Sequence, residues 1–458
     1  MKVLIISTNR ERSPFPVAPL GALVVAAAAE DAGHEVQLLD LMFSRTPGLA
    51  VRAALRRERP DVVGVSVRNL DSCVAGDTTH YYKEVAAVVQ QVRRRCDAPV
   101  VLGGGGFSVT PDAWLRRLDA CCGVVGEGEQ ALPLVLERLA SGGSLAGLPG
   151  VALRDEPAAA TPLLDGEAVS VPAHHLCAYE PYIRAGGWVG VQTKRGCAYR
   201  CVYCTYPALE GGGWRLRAPE RVVEEVARAA AAHRFVYFTD GVFNAPREHA
   251  LQVCRLLARR CPGLGWMAYC NPVGLDDELA RAMVDAGCLG VELGLDAVLP
   301  HTLQSARKPF GPEQIEASMA ALHAAELPFA AFILFGLPGE RRVDLERTQA
   351  FLDDCAPANA VFVSTGVRVY PGTAMERAAR DEGAISASAD LFEPTFFVSP
   401  ELGPRPAQLM DELAARRAAW TTPTDWRRAR LRLVQTMCNR LGQRPQWKNV
   451  SFYGKHLR

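Results

Sequence analysis

The sequence predicts an α/β protein built from two successive parallel β-sheet units and a small helical segment at its carboxyl end. Three observations predict this class. Short apolar runs alternate with helical patterns from residue 1 to about residue 144, the same alternation resumes at Trp188, and a connector rich in Pro, Ala and Asp separates them over 145–187. The 458 residues also exceed what one hydrophobic core serves, so more than one domain is expected.

The first 144 residues are typical of a doubly wound, Rossmann-like sheet. Ligands of such sheets bind at the carboxyl ends of the strands. Two glycine-rich stretches, 103–108 and 126–129, follow predicted strands and would let a backbone approach a large flat ligand. The strands are predicted over 3–7, 35–40, 61–67, 99–102 and 123–125, and the helices over 19–33, 81–96 and 129–141.

The second unit, 188–390, contains six strand–helix units. Its first strand, over 189–194, leads into a loop with three cysteines, and a helix follows over 219–233. Parallel barrels place their sites at the carboxyl ends of strands, which is where this loop begins. The further strands are predicted over 235–239, 265–269, 290–293, 329–335 and 360–363.

The last segment, 391–458, mixes tryptophans with arginines, a combination that can bind nucleic acid. Several of the arginines, however, fall at helical spacing opposite Leu431, Leu433 and Val434, which is typical of a solvated amphipathic helix. We expect this segment to cap the mouth of the second unit and to shape a substrate pocket. Its tryptophans and arginines include Trp420, Trp426, Trp447, Arg416, Arg417, Arg427, Arg428, Arg430 and Arg432.

Composition argues against nucleic-acid and membrane partners. The formal net charge is only +1, which gives no general attraction to anionic surfaces. No uninterrupted apolar stretch reaches the length of a membrane span, and the opening apolar run is too short for a signal peptide. Most of the fourteen cysteines stand singly in apolar or helical stretches, so we expect reduced thiols in a cytoplasmic protein.

The most informative motif is the spacing CxxxCxxC at Cys197, Cys201 and Cys204. Thiolates are the usual ligands of a 4Fe–4S cluster, and three of them leave the fourth iron open to a ligand from outside the protein. Disulfide and zinc frameworks usually bring two or four cysteines. The alternative is that three cysteines stand together incidentally in a cysteine-rich chain.

This motif, with Tyr203 just before the last cysteine, resembles the signature of the radical S-adenosylmethionine (SAM) superfamily. The resemblance implies that the open iron binds the amino and carboxylate groups of SAM and that the cluster injects one electron. It also implies that 188–390 forms a partial (β/α)6 barrel. The SAM-binding candidates, most of them at strand ends, are Tyr203, Asp240, Asn244, Glu292 and Arg368.

The first unit resembles the cobalamin-binding domain that is fused to many radical SAM enzymes. The resemblance rests on Pro19-Leu-Gly21, on Ala32-Gly-His-Glu35 with Asp40, on Arg59–Ser66, and on the two glycine-rich stretches. The cobalamin-binding candidates are Arg68, Gly103, Gly104, Gly105, Phe107, Ser108, Gly126, Glu127 and Glu210.

One departure from the cobalamin pattern concerns the cobalt ligand. Folds that ligate cobalt from below carry Asp-x-His-x-x-Gly after the first strand, whereas 7–12 contains no histidine here. Asp77 and His80 have neither the position nor the spacing, and are expected to cap a helix or lie on the surface. We therefore expect no protein histidine on cobalt. Arg68 would lie near the lower face, where a cation disfavours an axial donor; the alternative is that it caps a strand end.

Together these resemblances imply a cobalamin-dependent radical SAM methyltransferase. It would transfer a methyl group from SAM, via methylcobalamin, to a carbon of a small natural-product-type substrate, with the cofactors carrying the chemistry. An electron donor such as flavodoxin or ferredoxin is implied as a partner. One alternative keeps both cofactors but catalyses cyclisation, ring contraction or rearrangement without methyl transfer. Two others are an enzyme whose first domain has lost cobalamin, and a cofactor-binding sensor.

Overall fold

The computed structural model describes the chain except for residues 77, 231–232, 424, 426–436, 439–441 and 451–458. The expectations for Asp77, Trp426, Arg427, Arg428, Arg430, Arg432 and the helix around Leu431, Leu433 and Val434 concern residues outside the described part. No helix in the described ranges is both long and apolar enough to cross a membrane.

The first unit is a doubly wound sheet, as predicted. Its six strands run in the order β2-β1-β3-β4-β5-β6, and all neighbours are parallel except β5 and β6. Its elements are β1 Lys2–Ser7, α1 Leu20–Asp31, β2 Glu35–Asp40, α2 Pro47–Glu58, β3 Val62–Ser66, α3 Tyr82–Arg93, β4 Val100–Gly103, α4 Gly105–Ser108, α5 Pro111–Arg117, β5 Cys122–Val124, α6 Gly128–Ser141 and β6 Val151–Ala152.

Apolar helix faces cover both sides of this sheet. Helices α1 and α6 pack together on one side, and α2 and α3 pack together on the other. The chain proceeds from β1 outward in one direction to β2 and then in the other direction to β3. Such sheets bind their ligands at this point of reversal, at the carboxyl ends of the strands. Strand β6 lies beyond the predicted boundary at residue 144, so part of the predicted connector belongs to the sheet.

The connector carries short helical pieces before the second unit begins. They are the 3₁₀ turns Gly166–Ala168 and His174–Leu176, and the helix α7 Glu180–Arg184. The remaining elements are β7 Val189–Val191, β8 Lys194–Arg195, α8 Tyr206–Glu210, β9 Arg215–Leu216, α9 Pro219–Ala230, β10 Phe235–Phe238, α10 Arg247–Arg260, β11 Gly265–Cys270, α11 Asp277–Asp285, β12 Cys288–Asp296, α12 Pro300–Ser305, α13 Pro312–Ala324, β13 Phe329–Phe335, α14 Arg342–Asp354, β14 Ala360–Thr365, β15 Val367–Arg368, α15 Ala374–Asp381, β16 Phe396–Phe397, a 3₁₀ turn Pro400–Leu402, α16 Pro406–Ala415, β17 Trp420–Thr421 and a 3₁₀ turn Gln446–Asn449.

The second unit is an open parallel barrel of strand order β17-β14-β13-β12-β11-β10-β7. The six predicted strands are all present, and β17 of the final segment adds a seventh beside β14. Outward-facing residues of the strands are buried beneath helices, whereas inward-facing residues such as Tyr237, Phe332 and Phe362 keep partial exposure. The barrel interior therefore contains open space.

The final segment departs from the expectation that it caps the barrel mouth. Helix α16 is present, but residues 442–450 lie at the amino ends of the strands, opposite the mouth. Trp447 and Val450 pack there with Trp188 and Met267. The physical reason is that an open barrel leaves apolar side chains uncovered at this end, and the segment supplies apolar residues that bury them.

Candidate active site

A cavity of about 470 Å³ lies between the two units, at the carboxyl ends of β7, β10, β11 and β12. Residues 15–18, Leu20 and Arg68 line it from the first unit. All three motif cysteines line it from the barrel. Its aromatic wall consists of Phe15, Trp188, Tyr199, Tyr203, Tyr206, Tyr237, Tyr269 and Phe310.

The cysteine loop is held in shape by backbone contacts. Gly196 has a φ of +77°, and a Cβ there would overlap the carbonyl oxygen of Gly213, so only glycine fits. Cys197 N donates to Gly211 O at 3.2 Å, and Val202 N donates to Ala306 O at 3.0 Å. The loop is thus fastened both to its own far end and to the barrel.

The three thiols all line the cavity wall, although in the described residues they do not form a compact group that could hold a single metal ion. Burial raises the pKa of each; for Cys204, burial together with the neighbouring cysteines raises the pKa to about 12. Thiols that disfavour ionisation when free are stabilised as thiolates by iron. A buried cation, Lys308, borders the same cavity. The site fits a 4Fe–4S cluster held by three protein sulfurs.

A polar cluster not foreseen from the sequence lies beside these thiols. The Asp296 carboxylate accepts hydrogen bonds from the Tyr203 hydroxyl and the Lys308 ammonium, and Lys308 also donates to Tyr203 at 3.3 Å. Burial alone would lower the pKa of Lys308, but Asp296 and Cys201 outweigh burial and raise it. Tyr203 was a candidate from the sequence, whereas its contacts with Asp296 and Lys308, 93 and 105 positions away, were not predicted.

Two of the SAM-binding candidates border the cavity, Tyr203 and Asp240. Asp240 accepts from Thr193 N at 2.8 Å and forms a buried ion pair with Lys194 at 3.1 Å. Much of its hydrogen-bonding capacity is therefore used within the protein. Both assignments stay predictions.

Asn244 and Glu292 are one layer away from that wall. Asn244 is fully buried and exchanges hydrogen bonds with the backbone of Asn271, which itself lines the cavity. Glu292 lies inside the barrel, where its carboxylate accepts from Tyr237 and Trp447. Neither side chain lines the cavity, and a direct SAM contact stays a prediction for both.

Arg368, the last SAM-binding candidate, contacts the first unit. Its guanidinium is buried and pairs with Asp71 of that unit at 2.8 Å, and it also donates to the carbonyl of Leu391 at 3.0 Å. Arg368 does end a strand region as predicted, and the neighbouring unit supplies an anion there. The residue joins the two units, and its contact with SAM stays a prediction.

Among the cobalamin-binding candidates, Arg68 borders the cavity. The Arg68 side chain lies deep in the protein but is exposed, because part of its surface faces the cavity. Burial lowers the pKa of the guanidinium. Its assignment stays a prediction.

The glycine-rich stretch makes a tight backbone crossing. Gly104 has a φ of +99°, and a Cβ there would lie 2.5 Å from the carbonyl oxygen of Val67. Ser108 Oγ donates to Gly104 O and accepts from Gly126 N at 2.9 Å, so it ties the two glycine-rich loops together. Contacts of Gly103, Gly104, Gly105, Ser108 and Gly126 with cobalamin stay predictions.

Three further candidates face protein. Phe107 is fully buried, with its ring over Gly123 where a Cβ would collide. The buried carboxylate of Glu127 pairs with Arg215 across the unit boundary. The cobalamin contacts of both residues stay predictions. Glu210 accepts from Gly196 N at 3.2 Å, and burial raises its pKa; its cobalamin contact stays a prediction.

Comparisons with known proteins agree with this architecture. The family model described as B12 binding domain matches residues 6–136, and that of the Radical SAM superfamily matches residues 191–352. Tryptophan 2-C-methyltransferase from Streptomyces laurentii is 28% identical over 427 residues, covering 78% of this chain and 71% of the relative.

Two solved structures of the radical SAM methyltransferase TsrM from Kitasatospora setae are similar over nearly the whole chain. The structure with cobalamin and a 4Fe–4S cluster is 26% identical at a TM-score of 0.84, covering 99% of this chain and 98% of that one. The structure with tryptophan and a SAM analogue is 25% identical at a TM-score of 0.86, covering 99% of both.

A B12 binding domain ahead of a barrel with three cavity-facing cysteines defines a cobalamin-dependent radical SAM enzyme. Within that class, the chain is similar over most of its length to cobalamin-dependent radical SAM methyltransferases. The predictions of this family, of the fold class, and of cobalamin, SAM and a 4Fe–4S cluster as cofactors are confirmed.

Proposed function

We propose that the protein methylates a ring carbon of a small aromatic substrate of the indole class, and that this ring occupies the cavity between the units. One observation carries the proposal: a single cavity joins the cysteine loop, Arg68 of the first unit and an aromatic wall. Two similar proteins are described with tryptophan, one as its 2-C-methyltransferase and one with it bound as substrate.

The aromatic wall favours a flat apolar substrate. Tyr237 and Tyr269 come from neighbouring strands, and Phe15 packs near Tyr237 with 6.4 Å between ring centroids. Aromatic rings favour offset or edge-to-face neighbours, so a bound indole would find partners on several sides. Such walls also exclude water from the reacting carbon.

The chain's own residues would hold the cofactors in this cavity. Cys197, Cys201 and Cys204 would ligate the cluster, and Lys308 would offset its negative charge. Bound cofactors would supply the electron and carry the methyl group. Arg68 has no lone pair to donate to a metal, so the first unit would offer cobalt no ligand from that side chain.

A flavodoxin- or ferredoxin-type electron donor and a cytoplasmic location belong to the same proposal. Ala198 and Arg200 of the cysteine loop are exposed, so a donor protein could approach the cluster. All fourteen cysteines are free, which suits a reducing compartment. Turnover with reduced flavodoxin or ferredoxin as the sole reductant tests the donor; a lack of methylation with both proteins, in enzyme that dithionite does activate, would contradict it.

Anaerobic reconstitution tests the reaction itself. The holoenzyme, loaded with iron, sulfide and cobalamin, is incubated with tryptophan and SAM labelled in its methyl group, and products are analysed by mass spectrometry. We expect labelled methyltryptophan together with S-adenosylhomocysteine. A product of unchanged mass would favour rearrangement, and label found only on non-aromatic metabolites of an added extract would reject the indole class.

A further inference from the structure

The candidate cavity continues from the cysteine loop down into the barrel. Trp188, which precedes β7, and Tyr237, within β10, line its deep end. The last described residues of the chain enter the barrel at this depth. Trp447 and Val450 pack against Trp188, Met267 and other residues there, and Tyr237 packs against the same cluster.

Polar contacts fasten this segment to the connector that precedes β7. Arg444 donates to Gly187 O at 2.8 Å, and Gln446 Nε2 donates to Gly186 O at 2.9 Å. The Arg444 guanidinium also lies 4.0 Å from the ring centroid of Phe235 and 5.1 Å from that of Trp188. The segment is therefore fixed in position where the first barrel strand begins.

Strand β12 leaves room for the Trp447 indole. A Cβ on Gly290 would lie 2.7 Å from the indole ring and 3.0 Å from a side-chain carbon of Pro445. The indole thus fills a place in the barrel interior that a side chain of the strand would otherwise take.

Glu292, two residues further along β12, connects this indole to the cavity wall. One carboxylate oxygen accepts from Trp447 Nε1 at 3.2 Å, and the other accepts from the Tyr237 hydroxyl at 2.7 Å. Tyr237 lines the cavity, so a single carboxylate fixes both a wall residue and the residue beneath it.

We propose that Trp447 forms the floor of the substrate cavity and limits how far an aromatic substrate extends into the barrel, with Glu292 as the positioning residue that holds Trp447 and Tyr237 in place. This inference rests on the proposed function, because it assumes that the substrate ring enters this cavity. Beyond the indole, the partly exposed rings of Phe332 and Phe362 would border the lengthened space.

The test measures the size of ring that binds, independently of turnover. Indole and carbazole, which carries one additional fused ring, serve as probes in equilibrium dialysis with the reconstituted holoenzyme. In Trp447→Ala we expect the affinity for carbazole relative to indole to rise by at least about tenfold, the usual discrimination for one methylene-sized group in an apolar pocket. Trp447→Phe, the milder change, should shift the ratio in the same direction.

The matched control is Trp266→Phe. Trp266 is also a buried tryptophan of the barrel sheet, but it packs against Phe238 and Phe243 and donates to Ala286 O, away from the cavity. This variant should lose stability without changing the ratio. An unchanged ratio in a folded Trp447 variant, verified by circular dichroism, would overturn the inference.

Glu292→Gln tests the positioning role. Glutamine keeps the size but has one acceptor oxygen instead of two, so it cannot accept from both Trp447 and Tyr237. We expect the affinity for carbazole relative to indole to rise in this variant. An unchanged ratio would contradict the positioning role of Glu292. If the ratios change as expected but tryptophan is not methylated, the indole-class function fails and the floor stands.

Discussion

Arg195, two residues before the first motif cysteine, forms an ion pair with Glu129 of the first unit, with 2.6 Å between guanidinium nitrogen and carboxylate oxygen. Both side chains are buried, and Glu127 lies 3.6 Å from the same guanidinium. Burial alone would lower the pKa of Arg195, but Glu129 raises it. The strand that leads into the cysteine loop is therefore held by anions of the cobalamin-binding unit.

Glu129→Gln should destabilise the protein and its cluster site together. Removing one partner of a buried ion pair costs about 3–5 kcal/mol. Because Glu127 remains beside Arg195, the loss should be near or below the lower value. Urea unfolding measures the loss, and the iron content after reconstitution reports the cluster. Glu167→Gln, which breaks an exposed pair with Arg221, is the control and should change neither quantity appreciably. Equal stability of the two variants would contradict this role of Glu129.

Replacing any of Cys197, Cys201 or Cys204 by alanine should abolish cluster binding and SAM cleavage. Each sulfur is one of three, and a cluster with fewer protein ligands is not held. The visible absorbance of the cluster and the release of SAM fragments are the measurements. Cobalamin binding should persist, because the first unit has its own core. Cys355→Ala, a half-buried cysteine outside the motif, is the control; SAM cleavage without the motif cysteines would refute the assignment.

Arg68→His should change the spectrum of bound cobalamin. A neutral imidazole can donate a lone pair to cobalt, whereas a guanidinium cannot. We expect the visible bands of histidine-ligated cobalamin and a loss of methyl transfer of about tenfold, corresponding to about 1.4 kcal/mol of barrier. Arg68→Met removes the cation without adding a donor and should leave the spectrum close to that of the wild type. Identical spectra for Arg68→His and the wild type would place Arg68 away from cobalt.

Stability should depend on pH through Glu340, in the loop that follows β13. Burial raises its pKa to about 7, against hydrogen bonds from Gly336 N and Leu337 N that lower it. The pKa of Glu340 is higher in the folded protein than its unfolded value of 4.5. Its protonated carboxyl therefore contributes its full stabilisation of the fold below pH 4.5, and this contribution is lost as the pH rises to about 7.

The loss attributable to Glu340 should reach at most about 3 kcal/mol between these pH values. Urea unfolding of wild type and Glu340→Gln at pH 5 and pH 8 measures it, since glutamine does not titrate. Between pH 5 and pH 8, the free energy of unfolding of the variant should rise relative to that of the wild type. Parallel stability profiles would show that Glu340 titrates normally.

Local patterns sufficed for most strands and for the cysteine motif. Strand β2 runs from Glu35 to Asp40 as predicted, because its apolar run is bounded by polar and turn residues. Helix α2, Pro47–Glu58, was not predicted, because it buries only Val51, Ala54 and Leu55 and so shows a narrow apolar stripe. The three cysteines lie within eight residues, so their convergence is a local property.

Contacts between distant segments could not be predicted from the sequence. Arg368 follows a strand, as a SAM contact would, but its partner Asp71 stands 297 positions earlier. The same holds for Lys308 and Tyr203, which are 105 residues apart. The packing of Phe107 over Gly123 was not predicted either, because a glycine-rich loop indicates close approach without indicating which group approaches.

The attachment of residues 444–447 at the lower end of the barrel has a consequence for how such enzymes diversify. Neither cofactor-binding unit contributes the indole that lies beneath Tyr237. If Trp447 limits the cavity as proposed, substitutions in this short stretch would lengthen or shorten the reaction chamber while the cysteine loop and the glycine-rich loops of the first unit keep their sequences. Exchanging residues 444–447 between related chains should transfer the preference for substrate ring size without changing the residues that bind the cofactors.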